Sequence, residues 1–166
     1  MTVTYEAIVS ETLGSAQSSV TIGSGGTIPQ TYTDLVLVYN GEVTATGKDV
    51  RFRFNGDTGN NYSYTHMTGN GSTATSGRLA NNNFLPCYIA VGTSTEPATI
   101  LINMNNYSNT TTNKTVLVRN ADAPSEVVAL VGLWRNTGAI TSITIFPNTD
   151  NFAAGSSFSL YGIKAE

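Results

Sequence analysis

Phe52 and Phe54 alternate with Arg51 and Arg53 across residues 50–54, and the same in-and-out rhythm returns from one end of the chain to the other. Successive side chains of a strand point to opposite sides of a sheet, so a period of two marks a strand with one buried and one wet face. A helix would repeat its apolar positions every three or four residues. The clearest runs cover residues 35–39, 50–54, 99–104, 115–119, 127–134, 140–146 and 157–163, with weaker ones at 5–9, 18–22, 62–67 and 86–91. No stretch reads as a long helix.

Turn-forming residues separate these runs, notably Asn40-Gly41, Asn55-Gly56-Asp57-Thr58-Gly59, Gly69-Asn70-Gly71, Asn136-Thr137-Gly138 and Pro147-Asn148. Gly and Asn tolerate the positive φ that tight hairpins need. About nine to eleven short strands at such spacing predict two packed antiparallel sheets and not a parallel sheet with crossover helices. The expected fold is therefore all-β: an antiparallel, jelly-roll-like β-sandwich with about four or five strands in each sheet. With 166 residues and no linker, charged tail or internal repeat, the whole of 1–166 is expected to be one domain. Residues 1–9 are read as a first strand or as an interacting N-terminal arm. Two stretches rich in Ser, Gly, Thr and Asn, 10–26 and 69–83, are expected to be loops or edge segments. The second is the longer gap in the pattern and a place to look for a contact surface.

Only 11% of the residues are charged, against roughly 25% in ordinary soluble domains. Little mutual repulsion favours assemblies, and a neutral polar surface suits packing against other protein. The net charge of −3, with eight scattered Lys and Arg, argues against binding nucleic acid through phosphate contacts. No run approaches the roughly 18 apolar residues of a membrane-spanning helix. The opening MTVTYEAIVSE lacks the basic start and apolar stretch of a signal peptide. A protein that stays in the cytoplasm until assembly is expected, with neither a membrane nor a nucleic acid as partner.

Residues that could carry chemistry are few. Cys87 stands alone, so it can form neither an internal disulfide nor a cysteine-based metal site, and core packing is its expected role. His66 is the sole histidine and lies in an alternating run, where it reads as an ordinary packed or surface residue. The eleven acids sit mostly in turns or beside basic residues; a polysaccharide-degrading enzyme would need two of them across a cleft, with Asp57 and Glu96 as candidates to test. The loop 55–61 is rich in oxygen ligands and could attract calcium, but its single carboxylate, Asp57, favours a plain hairpin turn. Asn-X-Ser/Thr triplets start at Asn61, Asn70, Asn106, Asn109 and Asn113, and mean little without secretion. Tyr62, Tyr64, Tyr88, Tyr107 and Trp134 could stack on sugar rings or fill the core, and the core is the stronger reading, especially for Trp134. No catalytic residue, cofactor or metal ligand is assigned, no interface residue is singled out, and no enzyme is expected.

Several longer phrases carry a resemblance. They are IPQTYTDLVLV (28–38), RFNGDTGNNYS (53–63), NYSNTT (106–111), VGLWR (131–135) and NFAAGS (151–156) followed by LYGI (160–163). Together they resemble a family of virion structural proteins from environmental tailed bacteriophages, including cyanophages. That resemblance implies a particle protein without catalytic motif, either capsid decoration or a tail fibre-like domain. Because no long shaft is visible, the expectation placed first is a capsid decoration (cement) protein. It would be a homotrimer on the capsid surface, assembled in the host cytoplasm and stabilising the shell by binding the major capsid protein. The alternative is a tail fibre or receptor-binding module that recognises host surface glycan.

Overall fold

The computed structural model describes residues 4–25, 27–45, 49–87, 97–122 and 126–164. In these residues the alternating runs become twelve strands: β1 (Tyr5–Thr12), β2 (Val20–Ile22), β3 (Asp34–Gly41), β4 (Val50–Phe54), β5 (Tyr62–Gly69), β6 (Ala74–Asn82), β7 (Leu85–Pro86), β8 (Ala98–Asn105), β9 (Lys114–Asp122), β10 (Glu126–Trp134), β11 (Ile143–Pro147) and β12 (Ser157–Ile163). β4 and β12 coincide with their predicted runs. β11 starts three residues later than its run, and the expected strand at 86–91 falls mostly outside the described residues.

The strands form two antiparallel sheets, so the all-β sandwich expectation holds. Their division differs from the even split expected. One sheet has eight strands in the order β1-β12-β3-β8-β9-β10-β5-β6, and the other has four in the order β2-β11-β4-β7. Part of the excess comes from 69–83, where a loop or edge segment was expected and an edge strand is found. Asn70 closes a hairpin there by accepting the amides of Ser72 and Thr73, and β6 pairs with β5 through seven residue pairs from Gly69↔Ala74 to Tyr64↔Leu79 and on to Tyr62↔Asn82. Periodicity was silent because neither face of β6 is buried. From Tyr5 onward the N-terminal run forms β1, which pairs with β12 along its length.

The core lies between the sheets. Val50, Phe52 and Phe54 of β4 and Ile143 and Ile145 of β11 face Leu37, Tyr39, Ile100, Ile102, Val116 and Val118 of the larger sheet, all buried. Each such side chain contributes about 1.5–3 kcal/mol by leaving water. Tyr39, Phe152 and Phe158 form one ring cluster with centroids 5.0–5.4 Å apart. Phe54, Tyr62 and Trp134 form a second, with Tyr62 stacked on the indole at 6.3 Å. Gly132 allows β7 to settle on β10: a Cβ there would lie 2.7 Å from a Val116 methyl and 2.9 Å from one of Leu85.

Candidate functional site

Strands covered on one side only should be polar on the other. β9 and β10 depart from this. Val116 and Val118 point inward from β9, yet Leu117 between them points out; Val128, Leu130 and Trp134 point inward from β10, while Val127, Ala129 and Val131 point out. The register aligns these outward residues into rows across four strands. One row runs Met67, Ala129, Arg119, Leu101, and the next Thr65, Val131, Leu117, Asn103. Met67 is 64% exposed, Val127 60%, Val131 53% and Leu117 47%. Met67, Val131 and Leu117 line a groove of about 580 Å³ whose polar members include Arg119, Asn103 and Thr65. A second groove of about 400 Å³ continues from Val131 and Leu133 past Ser63 to Arg78 and Ala80 at the β6 edge. Sequence reasoning singled out none of these residues. The signal was there, since 127–134 is apolar on both faces, the composition of a strand covered from both sides.

The residues weighed earlier for chemistry lie elsewhere. Trp134, Tyr62 and Tyr107 are buried, and Tyr64 nearly so, which removes them as sugar platforms; Tyr88 and Glu96 lie outside the described residues. The Tyr107 hydroxyl donates to the Pro29 carbonyl. Cys87 is buried, and desolvation pushes its thiol pKa up, as a packed core residue requires. His66 is half-buried on the inward side of β5, its ring 6.1 Å from that of Tyr64 and set over Gly77.

Asp57 is a structural knot. Its Oδ1 accepts the Gly59 amide at 2.8 Å, and its Oδ2 accepts Asn61 Nδ2 at 2.9 Å and Trp134 Nε1 at 2.7 Å. Partial burial opposes its charge, but the bonds from Trp134, Asn61 and Gly59 outweigh that and hold its pKa below the ordinary value. Asn55, at φ 53°, completes the knot by accepting the amides of Thr141 and Ser142 and donating to the Ala139 carbonyl. The oxygens that sequence offered to calcium are thus engaged in joining the β4–β5 loop to the chain after β10. At the same end, buried Lys114 donates to the carbonyls of Thr112 and Thr137 at 2.8 and 3.0 Å, and desolvation lowers its pKa. Among the described residues, no three or more His, Cys, Asp or Glu gather where they could hold a metal ion. Among the described residues, no helix is long and apolar enough to cross a membrane.

The arrangement defines an antiparallel β-sandwich with an apolar groove on the outside of its larger sheet. Beyond that class the comparisons are sparse. No protein-family model matches the chain, and no curated protein matches it. Among solved structures, it is similar to galectin LEC-6 of Caenorhabditis elegans at 9% identity and a TM-score of 0.39, covering 94% of this chain and 96% of that one. A Shewanella oneidensis protein of unknown function is 12% identical with a TM-score of 0.25, over 85% of this chain and 62% of that one. The alginate lyase Aly36B is 10% identical with a TM-score of 0.29, over 95% and 81%. At such low identity and TM-score, nothing about ligand or activity is drawn from them.

Proposed function

We propose that this chain is a non-enzymatic assembly protein that docks the outer face of its eight-stranded sheet on another protein. The observation that carries this reading is the set of apolar side chains Met67, Val127, Val131 and Leu117, exposed on one face where a free-standing sandwich carries polar residues. Covering apolar surface yields about 25 cal/mol per Å², and a groove walled by aliphatic side chains offers that gain to a protein surface far more than to a hydroxyl-covered sugar.

Taken with the phage-family resemblance of the sequence, the reading is capsid decoration: the sandwich sits on the shell, binds the major capsid protein and ties subunits together by buried area. Many identical contacts then resist internal pressure additively, and no bond-making is needed. The low charge content supports it, because few ions must be desolvated at such a contact. The alternative of a tail module reading host glycan loses support with the burial of Tyr62, Tyr64, Tyr107 and Trp134. Catalysis is disfavoured as well, since the Asp57 carboxylate already accepts three hydrogen bonds.

The test joins location to surface. Quantitative gels of purified particles should show a copy number on the scale of the major capsid protein. Shells stripped of this chain should rebind the wild type and reject a Met67→Glu, Val131→Glu double variant that keeps its circular dichroism and melting temperature. A copy number fit only for a tail tip, or undiminished binding by the variant, would overturn the reading.

A further inference from the structure

Of the four sheet edges in the described residues, three are blunted. β2 and β7 are only 3 and 2 residues long. β1 carries Glu6 and Glu11 and a bulge between Ala7 and Val9. Shortness, charge and bulging are the usual means of keeping an open row of N–H and C=O groups from pairing with another chain. β6 lacks them along most of its length. It has 9 residues, one charge (Arg78) and no proline, and its side chains are exposed except at Gly77 and Asn82. Its irregular register is confined to the end beside Tyr62 and Tyr64.

The edge is also preformed. At one end Asn70 fixes the turn into β6 through the amides of Ser72 and Thr73. At the other, Arg135 donates to the Asn81 side chain at 3.0 Å and to the Asn60 carbonyl at 2.6 Å, holding the bulged end against β5. A strand already ordered loses little further freedom when a partner strand arrives.

We infer that β6 pairs antiparallel with β6 of a second copy of this chain about a twofold axis, joining two eight-stranded sheets into one. Self-complementarity selects a second copy. With the axis at Ser76, Ala74 faces Arg78 of the other copy, Thr75 faces Gly77 and Ser76 faces Ser76, so every pair includes a small neutral residue. The two Arg78 then stand about 14 Å apart by strand geometry, beyond a Debye length of about 8 Å. With that axis the paired stretch is residues 74–78, about 17 Å long and about 10 Å deep, burying on the order of 350 Å² in total, far below the roughly 1,200 Å² of lasting complexes. Main-chain hydrogen bonds therefore carry the affinity, as in strand addition generally, and the pair is weak and concentration-dependent. This inference stands apart from what covers the outer face: the twofold would make the two apolar grooves continuous across the seam, but it does not require them. The family resemblance implied a homotrimer, whereas one open edge pairing with its own copy closes at two.

Sedimentation equilibrium of the full chain tests it. The mass should rise with concentration from 17.5 kDa to twice that value and stop. Ser76→Lys sets two cations face to face at the axis and should leave a monomer with unchanged circular dichroism. Ala74→Glu sets a carboxylate opposite Arg78 and should tighten the pair several-fold at low salt, with the gain lost at high salt. The second variant decides the matter if the first folds poorly. A wild type that stays monomeric up to about 1 mM, a trimer, a dimer indifferent to Ser76→Lys, or no gain from Ala74→Glu would each overturn the pairing.

Discussion

Asp57 shows how one side chain holds a loop that sequence could read in two ways. Replacing it with Ala strands the Trp134 Nε1–H and the Asn61 amide in a partly buried site, and each lost partner costs about 1–3 kcal/mol. Urea denaturation of Asp57→Ala should show a loss of about 2–6 kcal/mol for the two together. The folded pKa of Asp57 lies below its unfolded value, which is about 4. The native state thus binds fewer protons than the unfolded chain, so this stabilisation is complete above the ordinary carboxylate range and disappears as pH falls through the folded pKa. Thermal melts from pH 6 down to about pH 2 should show a decline that Asp57→Asn makes shallower. Lys114 works by similar means with opposite charge: Lys114→Ala leaves the Thr112 and Thr137 carbonyls without their donor. Amide exchange in residues 106–113 and 135–142 should speed up in that variant.

At the scale of elements, glycine marks where strands and layers come close. Gly132→Ala forces a methyl into the Val116 and Leu85 side chains, and overpacking of this kind costs about 1–3 kcal/mol. Gly14→Ala meets nothing within 4 Å and should leave the melting temperature unchanged or slightly raised. The pair of variants, compared by denaturation midpoint, separates crowding from a general effect of losing glycine. Strand legibility follows from the same physics. β4 and β12 were readable to the residue because their inner faces are fully buried and their outer faces are not. β6 was legible only as a loop or edge segment, since both of its faces are wet and no alternation was imposed on it. The exposed apolar face was overlooked for the converse reason: in β10, apolar residues occupy both faces and read only as a strong strand.

For the molecule as a whole, period-two patterning settled the sandwich but not its eight-and-four division. Partner choice between edges depends on long-range pairings such as β1 with β12 and β10 with β5, which leave no mark within either strand. The bonds from Asp57 to Trp134 and from Asn55 to Thr141 and Ser142 were equally hidden, because their partners lie 77 to 87 residues apart in the chain. Tyr5 pairs with Ile163 on one margin of the larger sheet, and β6 forms the opposite margin. Seven strand spacings separate the two, about 34 Å. A reporter or cargo genetically joined at either terminus would therefore leave from the side remote from β6. In a β6-paired ribbon, two such cargoes would stand at opposite ends of a span of about 70 Å, too far apart to crowd one another, and this sandwich would serve as a bivalent display platform.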